Sequence, residues 1–253
     1  MPRRRALIAG NWKMHKTAAE AAVLTTEIRA LLPAEPEVDV LLLPPYPCLQ
    51  TVHGALQGDR RVQLGAQDCH WEDSGAFTGE VSAGMLAAWC QHVLVGHSER
   101  RQLFHESDGT VRAKLEAVLR SGMEPILAVG ETEAERRSGA TRDVLVRQAR
   151  AGLVGLPREQ VLLCTVAYEP VWAIGTGAAA EPGDIAEAAL ILRGVIEEAA
   201  SGDAAEVRIL YGGSVTPESA PALLSADGVA GALVGGASLS APQFCGITAA
   251  ASP

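Results

Sequence analysis

The five cysteines of this chain, Cys48, Cys69, Cys90, Cys164 and Cys245, are odd in number, scattered, and nowhere arranged as CxxC. That excludes a disulfide framework and a cysteine zinc site, and it predicts reduced thiols in a cytoplasmic protein. No two of the six histidines stand at the spacing that puts metal ligands on one helix face, so no metal is expected. Positive charge is short: 21 Lys and Arg face 30 Asp and Glu, a net charge of -9. Such an acidic chain repels a phosphate backbone, so nucleic acid is not expected as a partner, while a small anion held by local groups still is allowed. No apolar run approaches the ~20 residues of a membrane span. The opening Met1-Pro-Arg-Arg-Arg-Ala-Leu-Ile-Ala-Gly10 has an apolar part of only four residues, too short for a signal peptide. No linker, composition shift or low-complexity block divides the chain, and residues 1–253 are expected to form a single domain.

What is present is an alternation. Hydrophobic residues make up 48% of the chain, ample material for a core. Short apolar runs rich in branched residues predict strands at 5–9, 38–43, 62–66, 92–95, 125–129, 161–167, 207–210 and 232–234. Between them lie helical stretches at about 17–32, 47–56, 82–89, 110–120, 141–153 and 182–200, a short one after Pro217, and a last one at 241–247. Pro182 sits in the first turn of its helix, where a fixed φ and a missing N–H do no harm. Strands joined through helices run parallel. Eight such units in one α/β chain of this length favour a closed (β/α)8 barrel over an open sheet.

In such a barrel the chemistry lies where strands end and βα loops begin. Those places hold Asn11 and Lys13 after strand one, Gly96-His-Ser-Glu-Arg-Arg101 after strand four and Glu169 after strand six. Strand seven ends at Tyr211-Gly-Gly-Ser214 and strand eight at Val234-Gly-Gly-Ala-Ser238. Each has a plain reading: Lys13 as a solvated charge, His97 as a structural histidine, Glu169 as half of an ion pair, the glycine pairs as turns. Together they point to a site. Pro170 pushes Glu169 toward an extended backbone and gives its carboxylate a stiff support. The segment 171–180 combines Trp172 and Ile174 with Gly175 and Gly177; large apolar groups in a glycine-bearing loop need something to close on, as a lid does. His97 precedes a helical turn whose N–H dipoles oppose a positive charge, so a neutral, donating imidazole is expected. The repeated Gly–Gly–small pattern after strands seven and eight offers bare backbone N–H groups to a phosphate, with Lys13 across the mouth. One carboxylate base, one neutral donor, a lysine and a phosphate cradle suit proton abstraction beside a carbonyl, with the lid keeping water out.

Six stretches stand in order from residue 10 to residue 239. They are Gly10-Asn-Trp-Lys-Met14, Ser74-Gly-Ala-Phe-Thr-Gly-Glu80, Val95-Gly-His-Ser-Glu-Arg-Arg101, Ala167-Tyr-Glu-Pro-Val-Trp-Ala-Ile-Gly-Thr-Gly177, Ile209-Leu-Tyr-Gly-Gly-Ser-Val215 and Leu233-Val-Gly-Gly-Ala-Ser-Leu239. Together they resemble the triosephosphate isomerase family. The resemblance implies that Glu169 is the catalytic base and His97 the electrophile. It also implies that Asn11 and Lys13 bind substrate and that Glu99 orients Lys13. Backbone N–H groups of Gly175, Ser214, Gly235 and Gly236 would hold the phosphate of a triose, with Tyr211 and Ser214 latching the closed lid and no cofactor needed. A homodimer is implied through the 67–81 loop, with Thr78 reaching Asn11 of the partner subunit; on the residues alone, Phe77 could instead cap a local Ω-loop. Three positions depart from the family's usual pattern. Ala128 stands for a cysteine, Ala230 for an acid, so that the ion pair of Arg193 is absent or rewired, and Ala178 for a lysine at the lid's far hinge. A sugar-phosphate epimerase would need a metal or a second acid–base residue, which the sequence does not offer. A silent barrel kept for interactions would have no physical reason to retain Asn11, Lys13, His97 and Glu169 together.

Overall fold

Branched apolar residues fill the strand runs without the polar alternation of a half-solvated sheet, so both faces of each strand must be covered. The computed structural model, which describes residues 5–174, 180–202 and 204–251, shows how. The chain runs β1 (Leu7–Asn11), α1 (Ala18–Leu31), β2 (Asp39–Leu43), α2 (Leu49–Leu56), β3 (Val62–Ala66), α3 (Ala83–Leu86), β4 (His92–Val95), α4 (Ser98–Leu103) and α5 (Asp108–Arg120). It continues with β5 (Glu124–Val129), α6 (Glu133–Arg137), α7 (Thr141–Leu153), α8 (Arg158–Leu163), β6 (Thr165–Tyr168), α9 (Pro182–Ala199), β7 (Ile209–Tyr211), α10 (Ala220–Leu224), β8 (Gly231–Val234) and α11 (Ala241–Ala250). The eight strands pair in sequence order, all parallel, and β8 returns to β1 to close a barrel.

Alternate residues split between two cores. Leu7, Ala9, Leu41, Leu43, Leu94, Ile126, Ala128, Ala167, Leu210 and Leu233 pack on one another as one buried cluster inside the ring. Their neighbours, such as Ile8, Val40, Leu42, Val93, Leu127, Val166 and Ile209, belong to the larger cluster shared with the helices. Each fully buried leucine contributes about 1.5–3 kcal/mol. Ala128, at the position noted above, is fully buried in the inner cluster. At the closing seam Gly231 has φ +132°, and a Cβ there would lie 1.9 Å from the Leu7 carbonyl oxygen. Only glycine lets β8 come that close to β1.

Several boundaries differ from expectation, each for a physical reason. The run Val161-Leu-Leu-Cys reads as the start of a strand in the sequence, but residues 158–163 are helix α8, and β6 begins at Thr165. Val161 is buried while Leu163 is 39% exposed; pairing of Ile126 with Thr165 sets where the strand starts. β1 lies two residues later than the 5–9 expected, which carries Asn11 into the strand's end. β7 likewise ends one residue later than expected, at Tyr211. The helix expected over 82–89 is a single turn, the helical turn expected after His97 is α4, and α6 is a short helix the apolar pattern did not reveal. α1 begins as expected at Thr17, whose hydroxyl accepts from Glu20 N–H in a capping box.

The long connection after β3 is packed by its own rings. His70 stacks on Trp71 with centroids 4.2 Å apart and tilts against Phe77 at 4.3 Å. Phe77 nevertheless remains 42% exposed. Near β8, Arg193 donates to the carbonyls of Ala204 (2.7 Å) and Val207 (2.9 Å). Among the described residues no helix is long and apolar enough to cross a membrane.

Candidate active site

The C-terminal ends of the strands surround a cavity of about 360 Å³ lined by Asn11, Lys13, His97, Glu169, Gly212, Gly213, Ser214, Gly235 and Gly236, among others. These residues come from five different strands, so the ring closure alone brings them together. Of the residues expected at the site, Gly175 lies outside the described residues, as do Gly177 and Ala178 of the 171–180 segment.

Glu169 follows β6 and is only 2% exposed. Its N–H donates to the Val129 carbonyl at 2.8 Å, tying it to the tip of β5. Its carboxylate accepts from the Ser98 N–H at 2.9 Å and lies 3.1 Å from His97 Nε2. Gly212 leaves room for it: a Cβ there would sit 2.8 Å from Glu169 Cγ. Gly213 is constrained in the same way, because its Cβ would lie 2.1 Å from the Tyr211 hydroxyl oxygen. The two glycines after β7 are therefore packing requirements. Tyr211 is fully buried, and burial pushes its hydroxyl pKa up.

His97 is the N-cap of α4 and is 5% exposed. Its Nδ1 accepts the N–H of Glu99 at 3.2 Å. A nitrogen that accepts has no proton, so the proton of a neutral ring sits on Nε2 and points at Glu169 Oε1. The helix turn thus selects the tautomer that the expected donor role requires.

Lys13 stands on a left-handed backbone, φ +51°, uncommon for a side chain of this size. Three bonds hold it there. Its N–H donates to Asn11 Oδ1 at 3.0 Å, its carbonyl accepts from Gln67 Nε2 at 2.9 Å, and its ammonium reaches Glu99 Oε1 at 2.6 Å. Gly235 Cα faces this side chain: a Cβ there would meet Lys13 Cε at 3.6 Å. The lysine and the second glycine pair therefore share one wall.

At the start of the 171–180 segment, residues 171–173 form a 3-10 turn. Ser214 donates from its hydroxyl to the Ala173 carbonyl at 3.2 Å. Trp172 Nε1 donates to Glu131 Oε1 at 2.8 Å, and Tyr168 donates its hydroxyl to the same oxygen at 3.1 Å. Burial, with Glu131 beside it, pushes the Tyr168 hydroxyl pKa up. Arg136 lies over the Trp172 ring at 4.2 Å and pairs with Asp184 at 2.9 Å. Glu131, fully buried, was not among the expected site residues; its place just past the tip of β5 was the signal that could have found it.

A second cavity of about 270 Å³ adjoins the first across Asn11, Lys13 and His97, and its far side holds Met14, Tyr46, Gln67, Asp68 and Phe104. Beneath it Lys114, 2% exposed, donates to both oxygens of Asp68 at 2.7 and 2.8 Å and also contacts Glu106. Burial pushes the Asp68 carboxyl up to about 6 against the pull of Lys114. Among the described residues no group of three or more histidine, cysteine or carboxylate side chains is placed to hold a metal ion.

Comparison with known proteins gives this arrangement its context. The family model for triosephosphate isomerase matches residues 6–251. The triosephosphate isomerase of Moorella thermoacetica is 48% identical over 245 residues, covering 96% of this chain and 98% of that protein. That of Trichlorobacter lovleyi is 46% identical over 243 residues, 95% of this chain and 96% of that protein. The crystal structure of triosephosphate isomerase from Bartonella henselae superposes with a TM-score of 0.87 at 40% identity, covering 97% of this chain and 98% of that one. A likeness that runs the length of both partners, in sequence as in shape, goes beyond a shared barrel, and the chain belongs to the triosephosphate isomerase family.

Proposed function

We propose that this chain interconverts dihydroxyacetone phosphate and D-glyceraldehyde 3-phosphate. One observation carries the reading: the Glu169 carboxylate and His97 Nε2 lie 3.1 Å apart at the wall of a cavity that Gly235 and Gly236 also line. A triose fits between them with its phosphate on bare amides and its reacting carbons at the acid and the imidazole. Glu169 takes a proton from the carbon beside the carbonyl and returns it to the neighbouring carbon. His97 Nε2–H and the Lys13 ammonium stabilise the oxygens of the enediolate between the two steps, while the hydroxyl proton passes from one of these oxygens to the other so that the carbonyl moves by one carbon. Asn11 holds substrate, and the backbone N–H groups of Gly175, Ser214, Gly235 and Gly236 hold the phosphate. That cradle is made of amides, which explains how a chain of net charge -9 binds an anion. Each carboxylate oxygen has one partner and keeps a second lone pair with which Glu169 can act on substrate.

The same reading includes a cytoplasmic homodimer. Five free cysteines suit a reducing compartment. Phe77 and Met14, 42% and 94% exposed, would be covered if the 67–81 loop of one protomer entered the second cavity of its partner. In that arrangement Thr78 would approach Asn11 of the partner subunit.

The test is Glu169→Gln, which keeps the size but removes the base; its amide can accept at only one of the two places where the carboxylate does. In a coupled assay turnover should fall by at least ~10²–10⁴, with the fold intact by circular dichroism. Near-full activity of the folded variant would end the proposal.

A further inference from the structure

Glu169 is held from behind as well as from the cavity. Gly130, between β5 and α6, packs so tightly under the base that a Cβ on it would lie 1.7 Å from the Glu169 carbonyl oxygen and 2.6 Å from its carbonyl carbon. The residues on either side are bonded to the same stretch. Val129 C=O accepts from Glu169 N–H at 2.8 Å, and Glu131 C=O accepts from Val171 N–H at 3.1 Å. The backbone of the base therefore rides on residues 129–131.

One side chain grips that support. Gln148, on the inner face of α7 and only 7% exposed, accepts the Gly130 N–H on Oε1 at 2.8 Å. Its Nε2 reaches back to the Gly130 carbonyl at 3.4 Å. A backbone N–H must meet an acceptor, so the amide can face Gly130 only in this orientation. Gln148 and Glu169 also line one small cavity behind the base, together with Ser98 and Arg101. Loss of the clamp would let the turn move into that space, and the base would move with it.

We propose that Gln148 is a positioning residue for Glu169: it fixes the 129–131 turn and through it the backbone of the base. The inference rests on the reading of Glu169 given above. Gln148 touches no reacting atom. A displacement of about 1 Å at a reacting group can cost on the order of 10²-fold in rate, so a second-layer amide can matter to turnover.

The test uses Gln148→Met, nearly the same volume without either hydrogen bond. We expect kcat to fall roughly 10- to 100-fold, with KM and the affinity for inorganic phosphate within about twofold of the parent, since the small cavity that Gln148 lines includes none of Ser214, Gly235 and Gly236. The primary isotope effect with glyceraldehyde 3-phosphate deuterated at C2 should rise, because proton transfer becomes the slow step. If that variant does not fold, Gln148→Glu carries the same test: it keeps the acceptor for Gly130 N–H, cannot donate to the carbonyl, and should show the same pattern at smaller amplitude. A folded variant with kcat and isotope effect unchanged overturns the inference, and so does a parallel loss of kcat, phosphate affinity and thermal stability, which marks a purely structural role. Glu169→Gln run alongside separates the two ideas. If it is inactive while Gln148→Met is normal, only the positioning role fails; if it is active, the base itself has been misassigned.

Discussion

His97 and Glu169 face each other at 3.1 Å, and the direction of one proton decides what the pair can do. The Glu99 N–H occupies His97 Nδ1, so a neutral ring keeps its proton on Nε2, facing Glu169 Oε1. Nitrogen-detected NMR should therefore show the neutral ring as the tautomer protonated at Nε2; a neutral ring protonated at Nδ1 instead would overturn this assignment. At this scale the residues at strand tips were legible, because a barrel confines chemistry to those few places. Gln148 was not. It is one polar residue in a helix whose neighbours Val144, Leu145 and Ala149 are buried, and nothing local says that its amide meets a turn 18 residues earlier.

Between residue and molecule stands the joint of α1 with β3. Arg61 caps the C-terminal end of α1, donating to the carbonyls of Arg29 (3.0 Å), Leu32 (2.9 Å) and Pro33 (3.0 Å). Asp59 holds that guanidinium at 2.6 Å and also takes Arg29 at 3.2 Å. The hydrogen bonds from Arg61 keep the Asp59 carboxyl well below its usual value of 3.8. A carboxyl depressed in the folded state adds stability above its unfolded pKa and loses it as pH falls through the folded value. Asp59→Asn should thus cost about 1–2 kcal/mol at pH 7, and the gap in Tm should close as the pH is lowered below about 4. A gap independent of pH would show that the charge is not what matters. Element identity was mostly legible from apolar runs and prolines. The start of β6 was not, since a run such as Val161-Leu-Leu-Cys suits a buried helix end and a buried strand equally until register decides.

For the whole molecule the open question is the partner. Met14, Met85, Phe77 and Phe104 are 94%, 58%, 42% and 63% exposed in one chain, a set of large apolar groups that association would cover. Phe77→Glu places a charge where a dimer would bury a ring. It should raise the dissociation constant by at least ~10-fold, and specific activity should fall with dilution as monomers form. Sedimentation that finds a fully active monomer at low concentration would refute the dimer.

The order of strands and helices, the acidic balance and the residue types at the strand tips were all set by local properties: apolar period, proline and glycine placement, formal charge. Those can be read without knowing which segments meet. Tertiary structure alone decided the rest. Closure of β8 onto β1 brought Asn11 and Lys13 beside Gly235 and Gly236, over two hundred positions apart. The helix turn at Ser98 chose the tautomer of His97, and the packing of Gly130 against Glu169 made Gln148 a neighbour of the base in effect if not in contact. Such facts depend on which groups lie within a few ångströms across the fold, and short-range forces become visible only once the chain has closed.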